Sequence, residues 1–202
     1  IGFGSEIPFF VINPGIDTKV FDIDNKKLPF EKNKIKFLTV ARLHWKKGHE
    51  YTLQALAELK KKGYEFHYNI IGDGPETERI NYTIENLKLN AHITLHGPLE
   101  RDEIIRFYKN SNIYLQYSIQ EGFCNSVLES QAMGLLSIVS DAEGLSENII
   151  DGKTGWVVPK MKPESLSKKI ELVCNLDEKE KIIIRENASK RIKNNFDITV
   201  QK

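Results

Sequence analysis

Two carboxylates with seven residues between them, Glu121 and Glu129, stand in a stretch that reads EGFCNSVLE. An apolar, β-prone run at 113–117 precedes them, the polar residues 118–124 carry the first, and 126–133 has helical spacing closed by Gly134. This spacing predicts a strand-to-helix loop bearing Glu121 and a first helical turn bearing Glu129. Such a loop opens at the carboxyl edge of a parallel sheet, where a helix start offers unpaired backbone N–H groups and the positive end of its dipole. Carboxylates suit hydroxyls and N–H groups suit phosphate oxygens, so the combination suits a phosphorylated sugar or a nucleotide. Ser126 with Glu129 three residues on also spells a capping box, which would leave Glu129 serving only its own helix. A second charged pair, Arg42 and Lys47, lies at the end of a predicted strand at 35–43 and just before a predicted helix at 49–62. With Gly48 allowing close backbone approach, two cations there can hold a diphosphate, or they form a solvated basic loop.

The order EGF, a Ser/Val/Leu helix start, Glu129, and a helix ending in Met133-Gly134 before a buried strand resembles the GT4-type retaining glycosyltransferases. Three more segments are similar to that family: NPGID at 13–17, Arg42 with Lys47-Gly48, and the Gly72-Asp73-Gly74-Pro75 turn. The resemblance implies that Glu121 contacts donor-sugar hydroxyls and Glu129 the ribose. It places the backbone of Gly122, Phe123, Cys124, Asn125 and Ser126 against sugar and phosphate oxygens, Arg42 and Lys47 on the diphosphate, and Pro98 and Leu99 beside the base. Glu121, Arg42 and Lys47 are then the catalytic set, with no cofactor and no metal. Two positions depart from the common family form: Cys124-Asn125, where a small residue or Pro follows the Phe, and Ala41, where Gly is frequent. By the same resemblance the partners are a nucleotide-sugar donor and a glycan or lipid-linked acceptor, the latter held by an N-terminal domain for which this chain lacks the length. A non-catalytic nucleotide-sugar binding module and half of a sugar-nucleotide epimerase are the competing classes.

The elements that must position these residues alternate. Strands are expected at 35–43, 66–71, 93–96, 113–117, 135–139 and 156–158, with helices between and after them. That alternation predicts an α/β doubly wound parallel sheet, Rossmann-like, as one half of a GT-B architecture. The expected division is an N-terminal strand and linker over 1–33 and the donor-binding domain over 34–202. A strand is expected at 8–12 and a helix cap at Ser146. Gly72 to Glu76 is no GxGxxG fingerprint, which removes the main support for a dinucleotide oxidoreductase. The acidic residues Glu100, Asp102 and Glu103 read as a helix start, and Phe107 and Tyr108 as core.

Composition sets the bounds. The 202 residues are 40% hydrophobic and 28% charged, with a net charge of +1, values of an ordinary globular protein that argue against nucleic acid as partner. Cys124 and Cys174 form no metal-ligand spacing, and the five histidines, His44, His49, His67, His92 and His96, no metal motif. The pair Asp22 and Asp24 supplies too few oxygens for a hard cation. Two cysteines in different kinds of segment make a reduced, cytoplasmic setting the expectation; no transmembrane stretch is read from the apolar runs, and membrane association of a longer protein is open.

Overall fold

In the computed structural model, which describes residues 14–22 and 34–200, six strands form one parallel sheet. They are β1 (Ile35–Val40), β2 (Phe66–Ile71), β3 (Ile93–Leu95), β4 (Ile113–Gln116), β5 (Leu136–Ser140) and β6 (Trp156–Val158), in the order β3-β2-β1-β4-β5-β6. The helices are α1 (His49–Lys61), α2 (Thr77–Asn86), α3 (Arg101–Asn110), α4 (Asn125–Ala132), α5 (Leu145–Asn148), α6 (Pro163–Asn175) and α7 (Glu178–Asn195). Chain order reverses between β1 and β4, and a doubly wound sheet opens a crevice at the carboxyl ends of the strands flanking such a reversal.

Alternate side chains of each strand feed two cores. Phe37, Tyr68, Leu115 and Ile138 meet Leu53, Leu56 and Leu59 of α1 with Ile80 of α2 and Ile170 of α6 on one face. Leu38, Tyr114 and Val139 meet Tyr108 of α3, Val127 and Leu128 of α4 and Ile192 of α7 on the other. Strands buried on both faces need near-continuous apolar runs, and β5 is buried at every position.

Residues 14–22 dock on this body. Ile16 N–H donates to the Phe196 carbonyl at 2.8 Å and its own carbonyl accepts from Ile198 N–H at 3.0 Å. Phe21 packs edge-on to Tyr108 with centroids 6.1 Å apart. The strand expected at 8–12 and Asp24 lie outside the described residues. Asp22 forms an ion pair with Lys193 at 2.7 Å, and among the described residues no three His, Cys, Asp or Glu side chains converge as metal ligands. No helix of the described residues is long and apolar enough to cross a membrane.

Two local expectations, Glu129 on the first helical turn and a cap at Ser146, are corrected, and the capping-box alternative for Glu129 is not realised. Helix α4 starts at Asn125 with Cys124 as its N-cap, so Glu129 is its fifth residue and lies past the first turn. No capping box forms there: Ser126 Oγ stands 3.3 Å from Cys124 Sγ, and the Glu129 carboxylate is turned to Tyr108. Ser146 lies inside α5, whose N-cap is Gly144. A reciprocal box does form where acidic residues open α3, between Glu100 and Glu103.

Candidate functional site

The loop from β1 to α1 and the loop from β4 to α4 lie side by side at the reversal of strand order. Lys46 carbonyl accepts the N–H groups of Ile119 at 2.7 Å and Gln120 at 3.3 Å, which ties one loop to the other. Between them opens a cleft of about 560 Å³ lined by Arg42, Lys47, Glu121 and Gly122, together with His44, Lys46, Gln120 and Glu143. The first four are residues expected at the site from sequence; the other four were not singled out. Their signal was weak, because a His, a Lys, a Gln and a Glu in loops have no spacing of their own.

Lys47 Nζ pairs with the Glu121 carboxylate across the cleft, which also accepts from Ser118 Oγ at 3.1 Å. Behind Ser118 runs a buried polar chain. Gln116 Nε2 donates to Ser118 Oγ at 2.9 Å, and the Tyr114 hydroxyl lies 3.0 Å from Gln116 Oε1. Residues 114, 116 and 118 share one face of the strand direction, so β4 itself aims Glu121. The Arg42 guanidinium is exposed at the cleft and has no hydrogen-bond partner among the described residues.

His49 fixes the backbone beneath Arg42: its Nε2 stands 3.1 Å from the Arg42 carbonyl. Burial lowers its pKa to about 4, the hydrogen bond to Arg42 opposing and Lys47 reinforcing the shift. A folded pKa below the unfolded 6.5 means that this contribution is complete above pH 6.5 and lost as pH falls through 4, about 3 kcal/mol across the window. Denaturant titrations at pH 7 and pH 4.5 should therefore show a larger acid-side loss for wild type than for His49→Gln. Equal losses would contradict this role for the imidazole.

The remaining expected residues lie beside the cleft and do not line it. Cys124 is buried, with its N–H 3.2 Å from Asn148 Oδ1 and its carbonyl 3.3 Å from Asn148 Nδ2. Burial pushes its thiol upward, so it stays protonated and packs. Asn148, absent from the expected set, thus clamps the EGFCNS loop to α5, and its own carbonyl accepts from Gln131 and from Arg191. Asn125 is exposed and Ser126 half-buried at the start of α4, where the first N–H groups of a helix lack intrahelical acceptors. Phe123 packs on the Phe196 ring, centroids 5.6 Å apart. Glu129 is half-buried and accepts from the Tyr108 hydroxyl at 2.9 Å. Burial raises its pKa, while Tyr108 and Arg101 pull the other way. Pro98 is exposed, and Leu99 packs against the core of the α3–α4–α7 face.

Fold and cleft together define a Rossmann-like α/β domain of the kind found in GT-B glycosyltransferases, with its charged crevice at the switch point of the sheet. The chain belongs to the family described as Glycosyl transferases group 1, whose sequence profile matches residues 20–191. It is similar to the capsular polysaccharide biosynthesis glycosyltransferase CapM of Staphylococcus aureus, 29% identical over 201 residues that cover 97% of this chain and 50% of the relative. A glycosyltransferase from Rickettsia africae ESF-5 superposes with a TM-score of 0.85 at 30% identity, over 95% of this chain and 54% of that one. Anabaena Alr3699/HepE in complex with UDP and glucose shares the fold, with a TM-score of 0.82 at 20% identity over 95% of this chain and 54% of that one. The chain spans about half the length of the curated relatives it matches.

Proposed function

We propose that this domain binds the nucleotide-diphosphate sugar for a sugar transfer with retention of anomeric configuration, the acceptor being a glycan or a lipid-linked saccharide presented by another domain of a longer protein. The observation that carries the reading is the convergence of Arg42, Lys46 and Lys47 on one cleft with Glu121. Cations there neutralise a diphosphate, and the charge that develops on the leaving group during C–O cleavage is met by the same groups. In this reading no metal is required. Glu121, aimed by Ser118, accepts from donor hydroxyls when the incoming phosphates draw Lys47 toward themselves. It serves as a positioning acceptor rather than a covalent nucleophile. The N–H groups of Gly122, Phe123, Asn125 and Ser126 face sugar and phosphate oxygens, that of Cys124 being held by Asn148 Oδ1, and Pro98 and Leu99 flank the base. CapM, a capsular polysaccharide biosynthesis glycosyltransferase, supports the class of reaction, and HepE in complex with UDP and glucose supports the class of donor.

Glu129 is assigned to the ribose. Its carboxylate touches no backbone N–H of α4, and Tyr108 occupies only part of its acceptor capacity. Glu129→Gln keeps an acceptor for Tyr108 and should leave the melting temperature nearly unchanged. Affinity for the ribose form of a nucleoside diphosphate should fall by about 1–2 kcal/mol, the difference between a charged and a neutral hydrogen bond. The deoxyribose form should bind wild type weakly and respond less. An identical response of both forms, measured by calorimetry, would remove Glu129 from the ribose.

A further inference from the structure

We infer that His44 is a further donor-binding residue, holding a phosphate oxygen of the diphosphate through its Nε2–H; this rests on the diphosphate reading of the cleft. The argument is one of tautomer and place. His44 caps the short 3₁₀ turn Trp45–Lys47, with Nδ1 accepting the Lys46 N–H at 3.3 Å. A ring nitrogen that accepts from a backbone N–H cannot carry the proton of the neutral imidazole, so that proton sits on Nε2. Nε2 has no partner among the described residues, and His44 lines the cleft beside Arg42 and Lys47 as well as a neighbouring hollow with Glu76 and Arg79. The Trp45 ring lies against the imidazole with centroids 5.7 Å apart, and His44 carbonyl accepts the Lys47 N–H at 2.9 Å. The side chain is thus held in place before any ligand arrives. His44 thus brings an unpaired N–H donor to a cleft lined by three cations and by Glu121 and Glu143, and a phosphate oxygen is the acceptor that can join it to those cations.

Two substitutions separate the two ends of the ring. Asn places an acceptor near the Nδ1 position and is a good N-cap, but it offers nothing to the cleft. Gln reaches the Nε2 position with an amide N–H. Calorimetry with inorganic pyrophosphate, which needs no knowledge of base or sugar, reads the result on the 202-residue chain. His44→Asn should keep the wild-type melting temperature and lose about tenfold or more in pyrophosphate affinity, the size of one charge-assisted hydrogen bond. His44→Gln should bind within about threefold of wild type, since it restores that donor. Undiminished affinity in His44→Asn overturns the inference while the diphosphate cleft stands. Absence of pyrophosphate binding to wild type removes both.

Discussion

Lys47→Ala is expected to weaken nucleoside-diphosphate binding about a hundredfold, near the upper end of what one charge-assisted hydrogen bond contributes. Two effects add. The substitution deletes a cation from the cleft, and it leaves the Glu121 carboxylate, whose side chain is 12% exposed, uncompensated beside an incoming anion. The second effect is testable by itself. Lys47→Ala combined with Glu121→Gln removes both the cation and the stranded charge, so it should bind the diphosphate more tightly than Lys47→Ala alone. A loss below threefold in the single variant, or no recovery in the double, would take Lys47 off the diphosphate.

The largest stability effect is expected at Gly48. Its φ is 63°, and a Cβ there would stand 2.1 Å from the Tyr117 carbonyl oxygen. Left-handed backbone with a branched side chain costs about 1–2 kcal/mol and forced overlap about 1–3 more. Gly48→Val should therefore lower the melting temperature by about 10 °C in a domain of this size. The overlap pushes apart the two loops that Lys46 carbonyl ties together, so diphosphate affinity should fall as well. Gly63 is the control, with φ 82° and nothing within 4 Å of a Cβ. Gly63→Val carries the backbone strain without the overlap. Equal melting shifts in the two variants would show that close approach at Gly48 is immaterial.

Much of this fold was legible in the sequence because its inner strands are buried on both faces and read as near-continuous apolar runs: 135–139 was expected as such a strand, and β5 (Leu136–Ser140) is buried at every position. Gly63 and Gly134 closed α1 and α4 where left-handed residues were needed. What escaped was set by tertiary contact. Ser126 and Glu129 have capping-box spacing, yet Cys124 takes the cap and Tyr108, on another helix, takes the carboxylate. The core reading of Tyr108 was right in burial and silent on its hydroxyl. Gln116 was absorbed into an apolar strand, so the polar chain through Ser118 to Glu121 went unread. Asn148 carries no motif, because a side-chain clamp between two loops leaves no periodic trace. The pairing of Lys47 with Glu121 spans 74 positions, and only the sheet's crossover brings them together.

The central claim, a diphosphate held by protein cations, is tested most directly by calorimetric titration of the wild-type chain in excess chelator with UDP, GDP and ADP and with their nucleosides. At least one diphosphate should bind about thirtyfold or more tightly than its own nucleoside, the gap expected from even one or two charge-assisted hydrogen bonds. That gap should close in the Arg42→Ala, Lys47→Ala double variant. Equal affinity for diphosphate and nucleoside on both proteins would contradict the account, as would tight diphosphate binding that vanishes in chelator and returns with magnesium or manganese.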